Sequence, residues 1–211
     1  YSRIQNYFAM DYQSFSDDMT DFIHKVNMRG AFRNSTIDLK DISYFAPELN
    51  EMPLKLVANG IVTGTVDNLK SNNIKIKWGK SSELSCKIDI KGLPEVETTS
   101  YIGKNIFIKT NPTDIYSIHK SIKTSIGLDL VPLQSIRYTG NAGLVGDDLE
   151  TKGQLNTSIG TLNPMVQINN LGSEQIEVNS SGDIIQFNAG KLLDISDVGN
   201  GNGTFKIEFK N

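Results

Sequence analysis

Between Leu54 and Lys91, apolar and polar residues alternate with a period of two, and that spacing commits the segment to β-strands. Over 54–66 one face would carry Leu54, Leu56, Ala58, Gly60, Val62, Gly64 and Val66. Over 74–78 it carries Ile74, Ile76 and Trp78, with Lys75 and Lys77 opposite. Over 84–91 it carries Leu84, Cys86, Ile88 and Ile90, against Ser85, Lys87, Asp89 and Lys91. A helix would wrap those lysines round to the isoleucine side, whereas a strand separates them.

Turn-forming residues punctuate the runs. Asp67-Asn68 and Ser71-Asn72-Asn73 lie between the first two, and residues 79–82 between the second pair. Further strands are expected at 35–40, 104–109, 135–145, 149–155, 157–162, 165–170, 174–179, 183–188 and 204–209, with breaks at 146–148, 180–183 and 199–203. A strand every 10–15 residues or so is the spacing of a meander, sandwich or barrel. Two interruptions read as helical. Asn111-Pro112 offers an N-cap ahead of Ile115, Ile118, Ile122 and Ile126, and a shorter turn over 41–45 ends at Ala46, before Pro47. Each follows a strand, which gives a single elongated unit with a loose repeat, in blocks of about 35–109 and 110–211. Residues 1–34, with Tyr7, Phe8, Phe15 and Phe22, yield no clear periodicity.

A hydrophobic content of 38% suits strands with one apolar and one wet face. The formal charge of −3 comes without any block of like charges, so the sequence gives no reason to expect nucleic acid or an acidic membrane surface as a partner. The lone Cys86 excludes an internal disulfide and a multi-cysteine metal site. No run approaches the ~18 apolar residues of a membrane helix. The chain begins at Tyr1 without a signal peptide, and it reads as a piece of a larger protein whose anchors and targeting segments lie elsewhere.

The inventory of reactive groups is thin. His24 sits in an alternating stretch and His119 on a polar helix face, neither with partners at ligand spacing. Cys86 falls between Leu84 and Ile88, the place of a small buried hydrophobe. Asp147, Asp148, Asp194 and Asp197 lie beside glycines in expected turns and fit no calcium loop. Asn-x-Ser/Thr triplets at Asn34, Asn156, Asn179 and Asn202 follow from a composition rich in Asn and Ser. The glycine run at 199–203 has no Lys-Ser/Thr after it and so forms no phosphate loop. No catalytic residue, metal or cofactor is therefore expected, and the chain reads as a non-enzyme.

The apolar stripe remains. Pattern alone favours the sealed core of a sandwich, but Ala58, Gly60 and Gly64 on its inward face are costly in a strand unless the backbone curves or something approaches closely. The words D-L-K-D-I-x-Y-F-A-P-E-L (38–49), G-x-V-x-G-T-V-x-N-L-K (60–70), G-L-P (92–94) and I-R-Y-T-G-N-A-G-L (136–144) resemble the TamB branch of the AsmA-like envelope proteins, in its Bacteroidetes form. The resemblance spans about 23–190 and rests on strand and turn words. It implies an all-β fold, in which a long antiparallel meandering sheet is folded into a U-shaped, β-taco-like hydrophobic groove with one or two short helices.

It also implies a function: an internal periplasmic segment of a Gram-negative envelope protein, anchored to the inner membrane by a region outside this chain. Such a segment would shield phospholipid acyl chains in transit between membranes and support outer-membrane protein assembly. Its partners would be phospholipid and, through regions outside this segment, an outer-membrane assembly barrel of the TamA/BamA type. The expected groove lining is Leu54, Leu56, Val62, Val66, Ile74, Ile76, Trp78, Leu84, Ile88 and Ile90, continued by Ile106 and Ile108, Ile136 and Tyr138, Leu155, Ile176 and Val178, and Phe205 and Ile207. The competing expectation is a structural or adhesive β-module with a closed dry core and no lipid.

Overall fold

Period-two alternation builds a single sheet here. The computed structural model describes residues 1–43, 47–119 and 121–211. Its strands are β1 (Asn6–Asp11), β2 (Asn27–Asp38), β3 (Lys55–Thr65), β4 (Asn68–Trp78), β5 (Ser82–Lys91), β6 (Ser100–Thr110), β7 (Ile136–Val145), β8 (Asp148–Thr157), β9 (Gly160–Asn169), β10 (Glu177–Asn188) and β11 (Asn200–Lys210). Together they take up more than half of the chain. All pair antiparallel with their sequence neighbours in the order β1 to β11. The two edge strands do not meet, so the sheet is an open meander.

Short helices decorate the connections: α1 (Phe15–Met19), α2 (Phe22–Lys25), α3 (Leu39–Ile42), α4 (Pro112–Tyr116), α5 (Ile122–Ile126) and α6 (Ala189–Leu193). The expected helix starting at Pro112 is two pieces, and His119 falls in the break between α4 and α5. His24 lies on α2, where alternation had suggested a strand; Phe22 and Ile23 are half-buried there. The helical turn expected over 41–45 starts earlier, as α3, and its expected end at Ala46 lies outside the described residues.

The sequence also suggested breaks that the sheet absorbs. Ser71-Asn72-Asn73 lies inside β4, residues 180–183 lie inside β10, and 200–203 belong to β11. Residues 157–162 and 165–170 belong largely to one strand, β9. At Ser71-Asn72-Asn73 the reason is a β-bulge, an extra residue that reverses the alternation without ending the strand. Register shifts place one in β2 (between Phe32 and Ser35), β4 (between Ser71 and Ile74), β6 (between Gly103 and Ile106) and β10 (between Ile184 and Phe187).

Three of these bulges repeat one design. Asn34, Asn105 and Gln186 adopt left-handed φ of 45°, 51° and 47°, a conformation that Asn tolerates better than most residues. Each donates its backbone N–H to an Asn Oδ1 on the following strand: Asn59 at 2.8 Å, Asn141 at 3.0 Å and Asn202 at 2.8 Å. Each of the three strands then leads into a capped helix. Asp38, Asn111 and Asn188 accept the backbone N–H of Lys40, Asp114 and Lys191 at the starts of α3, α4 and α6. The structural period is thus four strands, β2 to β6 to β10, with α3, α4 and α6 at one end of the sheet.

Packing is thin. Four buried residues, Leu133, Ile136, Ile159 and Phe187, form a cluster with Ile115, Leu130 and Leu192 from the helical connections. At the same end, Asp114 of α4 clamps the tight β4–β5 turn. Its carboxylate accepts the N–H groups of Lys80 and Ser81, both at 3.0 Å, the Ser82 hydroxyl at 2.7 Å and the Asn111 side-chain amide at 3.0 Å. Burial by itself would raise the Asp114 carboxyl, but these donors win and hold it down at about 2, against an ordinary 3.8.

A lowered pKa contributes stability that is present above the unfolded value and lost as pH falls through the folded one. The contribution of Asp114, about 2 kcal/mol, should therefore disappear between pH 4 and 2. Asp114→Ala should cost roughly 2–4 kcal/mol at neutral pH and flatten that part of the profile in denaturant melts. An unchanged acid limb in the variant would show that the clamp is not what acid breaks.

Candidate functional site

Residues paired directly across an antiparallel ladder point to the same side, so the register assigns every strand residue to a face. One row runs Ala58–Ile76–Leu84–Ile108–Tyr138–Leu155–Leu162–Ile184. Another runs Leu69–Ile90–Tyr101–Leu144–Leu149–Ile168–Val178–Phe209. Between these bulky rows, at mid-strand, lie smaller residues. They include the cross-strand pairs Gly140–Gly153, Ala142–Thr151 and Pro164–Gly182. Among the described residues of β1–β11, no position on this face carries a charged side chain.

The expected lining residues within the strands all fall on this face: Leu56, Val62, Ile74, Ile76, Trp78, Leu84, Ile88, Ile90, Ile106, Ile108, Ile136, Tyr138, Leu155, Val178, Phe205 and Ile207. Leu54 and Ile176 flank β3 and β10, and Val66 lies in the β3–β4 turn. Leu54 and Ile136 are buried, Ile136 under the helical connections, so the face is roofed at that end. On β3–β9 no large hydrophobic of this face is exposed, whereas at the edges Phe8, Ile207 and Phe209 are.

The glycines answer a local need. Gly60 and Gly64 have φ of +140° and +123°, and a Cβ on them would meet the carbonyl oxygens of Asn73 at 2.6 Å and Asn68 at 2.0 Å. What approaches closely there is strand β4. A Cβ at Gly153 would strike the Tyr138 ring at 2.7 Å, and the Tyr138 hydroxyl meets Thr151 Oγ1 at 2.6 Å, so this ring fills the mid-strand dip. Two polar atoms on the face, Ser71 Oγ and Trp78 Nε1, are buried without hydrogen-bond partners among the described residues.

The opposite face holds what the sequence did not reveal. Lysines at alternate positions form no block along the chain, but the ladder gathers them: Lys70, Lys75 and Lys77 on β4, Lys87 and Lys91 on β5, Lys104 and Lys109 on β6, then Arg137 on β7. The carboxylates on that face of these four strands are Glu83 and Asp89. A depression of about 420 Å³ is lined mainly by residues of this polar side, Lys104 and Lys152 among them.

Titratable groups elsewhere have structural partners. His24 Nδ1 lies 2.6 Å from Asp21 Oδ1, a contact that raises the histidine and lowers the aspartate. His119 bridges Ser121 at 2.7 Å and Glu51 at 3.2 Å. Asp147 and Asp197 occupy turns, Asp148 opens β8 and Asp194 caps α6 in a left-handed conformation. Among the described residues, no group of three or more His, Cys, Asp or Glu side chains is placed to hold a metal ion, and no helix is long and apolar enough to cross a membrane. No protein-family model, curated protein or solved structure matches the chain.

Cys86 reports on the apolar face from within. Burial raises its thiol above the ordinary 9.0. Alkylation by iodoacetamide, followed by mass spectrometry, should be slow at neutral pH and accelerate only in alkali. Rapid modification at pH 7 would place the thiol outside the apolar surroundings.

Proposed function

We propose that the chain is a periplasmic segment of a TamB-like envelope protein, whose apolar face shelters phospholipid acyl chains between the inner and outer membranes and so also supports outer-membrane protein assembly. The observation that carries this reading is the uncharged apolar face, continuous across all eleven strands, with no second sheet laid over it among the described residues.

Surface area supports it. The chain exposes 13573 Å², whereas a compact monomer of 23.3 kDa exposes ~9,700 Å². Bulges or Gly and Pro residues interrupt β2–β4 and β6–β10, most of them near mid-strand, and bulges bend the strands that carry them. A sheet curled along that line toward its apolar side becomes the trough that the resemblance implies. An acyl chain in it would gain ~0.8 kcal/mol per shielded CH₂, from many similar weak contacts that let it move on. The inner-membrane anchor and the contact with an assembly barrel of the TamA/BamA type belong, in this reading, to regions outside the segment. A closed structural or adhesive module would need a second layer from outside these residues to dry the same face.

The two readings differ in what an inward charge does. In a trough, Ile76→Asp can reach water, so the fold should survive while lipid contact is lost. Against a covering layer it buries an unpaired carboxylate and costs several kcal/mol. Lys77→Asp on the polar face should be nearly silent in both cases. A photo-crosslinking residue at position 76 should yield lipid adducts in cells. Collapse of Ile76→Asp in thermal melts, together with no lipid adduct at 76 or at 84, would favour the closed module.

A further inference from the structure

On the polar face the ladder sets Glu83 opposite Lys77 and Lys109, and Asp89 opposite Lys70, but it pairs Lys75, Lys87 and Lys104 with no carboxylate. Lys87 and Lys104 are directly opposed across β5 and β6, an arrangement that destabilises a ladder. Among the described residues, no ion pair within 4 Å engages Lys75, Lys77, Lys87, Lys104 or Lys109. The chain carries −3 overall, yet this patch is cationic, and on the same face β8–β11 carry Asp148, Glu150, Glu177, Asp183 and Glu208 against Lys152, Lys206 and Lys210. Beside the lysines sits the depression of about 420 Å³, whose lining includes Ile102, Gly143 and Met165 together with Lys104 and Lys152. Glu150, also in the lining, is engaged by the Gln167 side-chain amide at 2.9 Å.

We propose that this surface docks an acidic protein segment that seats one bulky apolar side chain in the depression, with carboxylates on the surrounding lysines. Four strands of about ten residues cover roughly 600 Å², near one partner's share of a small protein interface. That bounded size and the acidic flank fit a peptide-like partner better than an anionic bilayer, which would face the whole sheet. An apolar anchor inside a charged rim is also how such interfaces divide affinity from steering. The site is independent of the apolar face and of any lipid there.

The test is fluorescence anisotropy of a labelled acidic nonapeptide with one central phenylalanine, titrated with the purified chain at low and high salt. Binding should weaken with salt, and roughly tenfold when the phenylalanine is replaced by alanine. Charge reversal by Lys87→Glu with Lys104→Glu should abolish it. Gly143→Val adds bulk to the lining of the depression, where an added Cβ meets only the flexible Ile102 Cδ1 at 3.1 Å, and should also cost roughly tenfold. Circular dichroism should show both variants folded, and Lys206→Glu with Lys210→Glu on β11 should bind as the parent does. The proposal is overturned by no binding, by equal loss in the β11 control, or by indifference to Gly143→Val. Charge-reversal-sensitive binding to vesicles rich in phosphatidylserine, without peptide binding, would overturn it in favour of a membrane surface.

Discussion

Everything in this molecule depends on keeping one face of a pleated ladder in phase. A strand shows alternate residues to alternate sides, so a slip of one residue would turn the whole apolar set to water. Over eleven consecutive strands that is a severe condition, and the chain meets it with compensated irregularities. Where β2 changes phase, Phe32 and Ser35 still face Gly60 and Ala58 on β3. Where β6 changes phase, Gly103 and Ile106 still face Ala142 and Gly140 on β7. The Asn side chains of the neighbouring strands hold the left-handed bulge residues in place. The abundance of asparagine thus has a conformational reason at Asn34, Asn59, Asn105, Asn141 and Asn202.

This also explains what could be read in advance. The β4–β5 alternation was legible because Lys75, Lys77, Lys87 and Asp89 contrast sharply with their isoleucine neighbours. Strand boundaries were not legible where a bulge intervened. Ser71-Asn72-Asn73 and residues 180–183 have the composition of turns, and only pairing on both sides keeps them in the ladder. The α4–α5 break was hidden because Ile115, Ile118, Ile122 and Ile126 keep helical spacing through it. Face membership of the apolar residues was the most legible feature, since a strand's parity is a local property. The lysine cluster was illegible for the opposite reason, because it exists only across strands.

The division of charge follows from the same geometry. A single-layer sheet has no interior in the usual sense, and few side chains are fully buried. Stability therefore rests on the ladder itself, on the cluster under the helical connections, and on local clamps such as Asp114 beneath the β4–β5 turn. Charged side chains are confined to one side, where they are free to be recognised, and the two bulky apolar rows lie on the other, where the helical roof covers one end.

The recurrence every four strands sets how such a sheet can change in length. Adding one whole unit lengthens it by about 19 Å at the usual strand spacing, with its bulge, clamp and helix arriving together. Adding an odd number of strands would reverse the direction of everything downstream and carry the later helices to the opposite edge. Growth of this architecture is therefore quantised: two strands are the shortest step that keeps the downstream directions, and the four-strand module is the shortest that also keeps the spacing of the helices.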